Sequence, residues 1–336
     1  MQDNAVKILL PIGTLCDGTC VSPDLKRLPH LLIAGGRDTR RYLTRLVISA
    51  ASAHSPDALR VLAMHFDGAL DTLPHLLSAG IEAECDSEAA LLWLTDEMDR
   101  RYGLLTEAKA RTVDDYNARS ASKLYYIIAA VGALEKLSKR AKERAALIAA
   151  KARAAGIYLV ACTENADKKV ITDIIKINIP SHIALKTETK AQSRLIIGVN
   201  GAETLEENEL LFLPVGSYVP QKLVYTAPSD SELRTALSEL NAAYPRAELV
   251  SITARKEKEP PLLLSALVFL QRNGGATAAL LQRGLKISYR KAAGLIEEME
   301  NAGYIGEFNG SKPRAILLTD AELEKLISEL RRDMEI

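Results

Sequence analysis

The sequence predicts an α/β fold, a largely parallel sheet with helices on both faces, followed by a small winged helix. Strand-like and helix-like stretches alternate from about residue 30 to 225, the pattern of neighbouring parallel strands joined by helices that return over either face. Past Val224 the alternation stops, and residues 262–318 run helix, helix, helix, hairpin. The 336 residues suffice for two domains with a core of ordinary depth, and the hydrophobic share of 48% is that of a globular protein.

The expected strands are 31–34, 60–66, 124–131, 157–162 and 182–187, with helices between them at 87–105, 134–155 and 168–177. In the first of these helices Ser87 reads as the N-cap, with Leu91, Leu92, Leu94, Met98 and Tyr102 on roughly one face and Trp93 filling space beneath it. Residues 229–243 read as a helix opened by Ser229 or Asp230. Residues 245–261 are charged, end in Pro260-Pro261, and read as a linker. The small unit then has helices at 262–271, 276–282 and 288–302 and a hairpin at 304–318 that turns at Asn309-Gly310. A last helix is expected at 320–333. The chain thus divides into an N-terminal strand segment 1–27, an α/β domain 28–244, a linker 245–261, a winged helix 262–318 and a C-terminal helix in 319–336.

Charge excludes one broad class. With 43 basic and 43 acidic residues the chain has no global attraction to nucleic acid, so any such binding has to come from a local patch. No apolar run approaches the roughly 18 residues that span a bilayer, and no signal peptide opens the chain, which predicts a cytoplasmic protein without a membrane partner. The cysteines are Cys16, Cys20, Cys85 and Cys162. The spacing of the first two resembles half a zinc site, but no second pair or histidine cluster completes it, so reduced thiols and no metal are expected. His30 and His75 each follow a proline and precede leucines, and read as structural.

The stretch LLIAGGRDTRRY at 31–42 sits where a strand should turn into a phosphate-binding loop. Such a loop reads G-x-x-x-x-G-K-[ST]: glycines let backbone amides approach phosphate, lysine supplies charge, and a hydroxyl binds Mg²⁺. Gly35 opens the frame, but the later positions hold Arg40, Arg41 and Tyr42. Arginine at the second glycine adds a side chain where the backbone must close, and tyrosine is a poor substitute for a small hydroxyl on the metal.

Several stretches together resemble the motor region of the FtsK/SpoIIIE family of bacterial double-stranded-DNA translocases. They are LPHLLIAG at 28–35, LPHLL at 73–77, LLWLTDEMDRRYGLL at 91–105, KARAAGIYLVACT at 151–163, VITDIIKINIPSHIAL at 170–185 and SRLIIGVNGAETL at 193–205. GLKISYRKAAGLIEEMENAGYIGE at 284–307 is similar to the family's C-terminal DNA-reading winged helix, also called the gamma domain. The resemblance implies a RecA-like P-loop-type sheet. It also implies an acidic pair at the end of the strand in YYIIAAVGALEKL, where this chain has Val131 and Gly132, and a Thr-Gln-Arg run where it has Thr163, Glu164 and Asn165. Val131 and Gly132 can neither hold a metal nor take a proton, and Glu164 adds negative charge beside a phosphate. The expected nucleotide site, Gly35, Arg40, Arg41, Tyr42, Val131, Gly132 and Glu164, is therefore degenerate, with no catalytic residue and no cofactor. Ring ATPases of this kind complete a neighbour's site with an arginine in trans. Arg153 and Arg194 are candidates for that part, or plain solvated residues.

The winged helix keeps a reading head. Ser288 is placed to cap its third helix, with Ala292, Leu295, Ile296 and Met299 as the inward stripe and Tyr289, Arg290 and Lys291 outward, after Lys286. Lys312 and Arg314 are expected at the wing. Residues 255–318 hold ten Lys/Arg and six Asp/Glu, a net of +4 against zero for the whole chain. Glu297, Glu298 and Glu300 make the far end of the same helix acidic, and winged helices also serve as protein-binding modules. Three functions follow: a DNA-binding pseudo-translocase that self-assembles or docks on an active relative, an active translocase using Arg41 in place of lysine, or a protein adaptor with no DNA role.

Overall fold

The computed structural model describes residues 6–252, 262–273, 275–285, 287–307, 313–319 and 322–326. The chain divides into two compact units, Met1–Ala254 and Arg255–Ile336. Strands of the first unit are β1 (Gly13–Thr14), β2 (Cys20–Val21), β3 (Leu31–Ala34), β4 (Leu59–Met64), β5 (Tyr126–Val131), β6 (Ile157–Thr163), β7 (Ser181–Ala184), β8 (Glu209–Leu213) and β9 (Gln221–Val224). Its helices are α1 (Thr39–Ser52), α2 (Glu84–Glu107), α3 (Val113–Arg119), α4 (Lys139–Lys151), α5 (Asp173–Asn178), α6 (Lys190–Ile197) and α7 (Asp230–Ala243).

The strands form one sheet in the order β2-β1-β9-β8-β7-β3-β6-β5-β4. The run from β7 to β4 is parallel, and β8, β9, β1 and β2 extend it as antiparallel strands. Strands covered on both faces have no solvent side, so β3 (LLIA), β5 (YIIAAV) and β6 (IYLVACT) are apolar without alternation and buried throughout. Their side chains still alternate between layers. Leu31 and Ile33 pack with Leu43 and Leu46 of α1 on one face, whereas Leu32 and Ala34 pack with Leu94 and Met98 of α2 on the other.

Several elements differ from the sequence expectation. Ser87 is not the N-cap of α2: the helix starts at Glu84, and the buried Ser87 hydroxyl bonds the Ala83 carbonyl oxygen and His65 Nε2 instead. The helix expected at 134–155 splits into a 3₁₀ turn (Leu134–Lys136) and α4, because Ser138 breaks the run by capping α4 through the Ala141 amide. The helix expected at 168–177 begins only at Asp173, where Thr172 supplies its cap. The expected strand segment within 1–27 supplies β1 and β2, whereas the antiparallel β8 and β9, short and partly solvated, fall where the sequence reading placed no strand. The first part of the expected linker is pinned to the α/β unit: the amides of Ala247 and Val250 donate to the Pro74 and Leu77 carbonyls, and Val250 and Ile252 pack on the core. Helix α7 has the expected Ser229 cap, completed as a capping box by Glu232.

The second unit has helices α8 (Leu262–Asn273), α9 (Ala278–Leu285) and α10 (Tyr289–Asn301), with bridges Ala276↔Arg314 and Ile305↔Ile316. Its separate core includes Leu267, Leu281, Leu295, Ile296 and Met299. Residues 322–326 are helical, and the rest of the helix expected at 320–333 and the Asn309-Gly310 turn lie outside the described residues. Among the described residues, no helix is long and apolar enough to cross a membrane.

Candidate functional site

The carboxyl ends of parallel strands are where α/β folds place ligands, and the four adjacent strands β3, β6, β5 and β4 all end around one side chain. Arg40 lies in the first turn of α1, just after the loop that leaves β3. Its Nε donates to the Gly132 carbonyl oxygen, after β5, at 3.2 Å. One terminal nitrogen pairs with Asp67, after β4, and the other lies 3.9 Å from the Glu164 carboxylate, after β6. A second cation, Lys136, reaches Asp67 at 3.0 Å. That hydrogen bond, with the Arg40 charge beside it, holds the Asp67 carboxyl below the usual carboxylate range.

The loop keeps left-handed backbone at Gly35 (φ 97°) and Gly36 (φ 76°). At Gly35 the demand is also steric, since a Cβ there would come within 2.9 Å of the Leu185 carbonyl oxygen. The Thr39 hydroxyl donates back to this loop, to the carbonyl oxygens of Gly35 and Gly36. At Gly132 a Cβ would stand 2.3 Å from the His65 carbonyl oxygen, and Val131 is fully buried. Cys162 Sγ also meets the Gly132 carbonyl oxygen, at 3.1 Å, and burial pushes its thiol well up. The Thr163 hydroxyl bonds Glu135 at 2.8 Å. The residues singled out from the sequence thus converge, except for two.

Tyr42 does not stand in the cleft. Its side chain is fully buried on the core side of α1, where the hydroxyl donates to the Ile12 carbonyl oxygen at 2.7 Å and the ring meets Tyr225 edge-on. Burying the ring removes a large apolar area from water while the hydroxyl keeps a hydrogen-bond partner. Arg41 faces elsewhere too, 3.7 Å from Asp38 and 3.2 Å from Asp230. It lines a 790 Å³ cavity flanking the loop, in which seven carboxylates, Glu188, Glu206 and Glu207 among them, outnumber Arg37, Arg41 and Lys186. Sequence reading missed Asp67, Lys136 and this acidic lining, because each is close in space and remote in the chain.

Arg194 bonds the Asn200 side chain at 2.9 Å. Arg153 follows α4 and lies by the amino-terminal ends of β5 and β6, opposite the cleft. Among the described residues no group of three or more His, Cys, Asp or Glu is arranged to hold a metal, and the four cysteines are free thiols. His30 accepts a hydrogen bond from the Leu159 amide and His75 meets the His54 carbonyl oxygen, both as buried structural residues.

In the second unit Ser288 accepts from the Lys291 amide and caps α10. Tyr289, Arg290 and Lys291 are exposed in its first turn, while Ala292, Leu295, Ile296 and Met299 are buried. Arg314 is held at the base of the hairpin by an ion pair with Glu300 and by the bridge to Ala276, so it is not the free wing cation expected. Lys286 and Lys312 lie outside the described residues.

Comparison with known proteins gives a consistent family assignment. Residues 2–136 match the FtsK/SpoIIIE family and residues 257–319 match the Ftsk gamma domain. The chain is 34% identical over 334 residues to the DNA translocase SftA of Bacillus subtilis, which covers 93% of this chain and 35% of that protein. It is 30% identical to the DNA translocase FtsK of Caldanaerobacter subterraneus, over 96% of this chain and 48% of that one. The chain therefore spans between a third and a half of these relatives. Among solved structures, the pCW3 conjugation coupling protein TcpA shares the fold, with a TM-score of 0.60, 21% identity and 71% of each chain covered.

Proposed function

We propose, since the chain belongs to the FtsK/SpoIIIE family, that it is a duplex-DNA-binding member whose α/β unit does not hydrolyse ATP and serves as a scaffold. The observation that carries this is the Arg40 guanidinium, which occupies the junction of four strand ends where a nucleotide's phosphates and metal would lie. Phosphoryl transfer in P-loop enzymes depends almost wholly on positioned charge, and one arginine alone is worth about 10³–10⁵ in rate. Here the acidic pair is replaced by Val131 and Gly132, and Arg41 is occupied by two carboxylates. The carboxylate-rich cavity beside the loop further disfavours a polyanion such as ATP.

DNA binding is assigned to the first turn of α10, where Ser288, Tyr289, Arg290 and Lys291 are exposed around a helix N-terminus. The domain division stated above, self-assembly or co-assembly with an active relative, and a cytoplasmic site belong to the same proposal. The test measures phosphate release and ATP binding by calorimetry, with and without duplex, alongside a gel-shift titration at stated salt. The expected result is no turnover, no ATP binding heat, and duplex binding lost in an Arg290→Glu, Lys291→Glu variant. DNA-stimulated turnover abolished by Arg41→Ala would establish the altered-chemistry translocase instead. Unchanged duplex binding in the double variant would remove the DNA role from α10.

A further inference from the structure

A second pocket lies at the other end of the sheet. It has a volume of 390 Å³ and is built from Tyr126 and Tyr158 at the amino-terminal ends of β5 and β6, the start of α3, and the segment from Lys151 to Gly156. This size is within the range of small-molecule sites and exceeds that of a bare oxyanion.

Its charge is unbalanced in a particular way. Asp114, its one carboxylate, is satisfied from within: one oxygen accepts from Lys26 Nζ at 2.7 Å and from the Tyr126 hydroxyl at 2.5 Å. The other two cations of the lining, Lys151 and Arg153, have no counter-ion among the described residues. Tyr158 adds an independent sign. The residue is only 3% exposed, its hydroxyl makes no hydrogen bond among the described residues, and that hydroxyl is not among the enclosed polar atoms left without a partner, so it keeps an open edge and is free to donate. Burial and the nearby Asp114 push its phenol up, so it stays protonated and able to donate. Arg153, Lys151 and the neutral Tyr158 therefore line one cavity whose own acid is already paired.

We propose that this pocket binds a phosphate group, with Arg153 and Lys151 supplying charge and Tyr158 a hydrogen bond. Guanidinium and ammonium groups both suit phosphate, and a tetrahedral oxyanion offers the several acceptor oxygens that three separate donors require. Space remains for the organic part of a phosphate ester. The phosphate comes either from a free anion or from a DNA backbone, and the pocket shares no lining residue with the β3 loop.

The experiment uses the full chain. Inorganic phosphate is titrated by ³¹P NMR at fixed ionic strength, and a short duplex is titrated by fluorescence anisotropy, the latter also in the Arg290→Glu, Lys291→Glu background. Lys151→Glu and Arg153→Glu, each at an exposed position, are expected to weaken binding roughly tenfold. Tyr158→Phe, which removes only the hydroxyl, is expected to weaken it about two- to tenfold. Loss in the phosphate titration assigns a free-anion site, and loss confined to the duplex titration assigns a backbone contact. Affinities for both probes that stay at the parent value in all three variants overturn the proposal.

Discussion

Arg40 Nε stands 3.2 Å from the carbonyl oxygen of Gly132, so a side chain from the first turn of α1 reaches the carboxyl end of β5. The same guanidinium pairs with Asp67 and approaches Glu164, which gives four neighbouring strand ends one shared cation. Two predictions rest on this junction, and others on the core around it.

Arg40→Ala should lower stability by about 1–2 kcal/mol, because the side chain is partly solvated and its pairs are discounted accordingly. For a unit of this size that is a drop of roughly 2–8 °C in melting temperature by calorimetry. A variant that melts with the parent protein would mean the ion pairs are decorative.

Gly132→Glu should not restore an ATPase. Its Cβ would meet the His65 carbonyl oxygen at 2.3 Å, so the backbone has to shift before any carboxylate is presented. A destabilisation of about 2 kcal/mol or more is expected in a denaturant titration, with no phosphate release.

Tyr42→Phe should cost about 0.5–1.5 kcal/mol by removing the shorter of the two hydrogen bonds that the Ile12 carbonyl oxygen accepts, the other coming from Arg45 at 3.3 Å. Affinity for duplex should be unaltered, since Tyr42 is a core residue of the α/β unit.

Stability should fall as pH drops from about 6.5 to 4. Burial lowers His30 and His182 to about 4, whereas an unfolded chain protonates them near 6.5. The unfolded state then binds the extra protons, so stability is full above 6.5, declines through the window and levels off below it. Each histidine contributes on the order of 3 kcal/mol by this linkage, and His182→Gln should flatten part of the slope measured by chemical denaturation.

The sequence by itself determined the parallel core and the order of the two units. Apolar runs such as LLIA, YIIAAV and IYLVACT leave no solvent face, and the capped stripe from Ser288 to Met299 fits only one helix. It also exposed Arg40, Arg41 and Tyr42 as departures from the G-x-x-x-x-G-K-[ST] pattern after Gly35, because that motif has fixed spacings. Where those side chains go was decided only by the tertiary structure. Tyr42 turns to the core, Arg41 to Asp38 and Asp230, and Arg40 to Asp67, a residue 27 positions away. Side-chain direction at a helix start depends on which burial or ion pair is within reach, and reach is set by strand order rather than by distance along the chain.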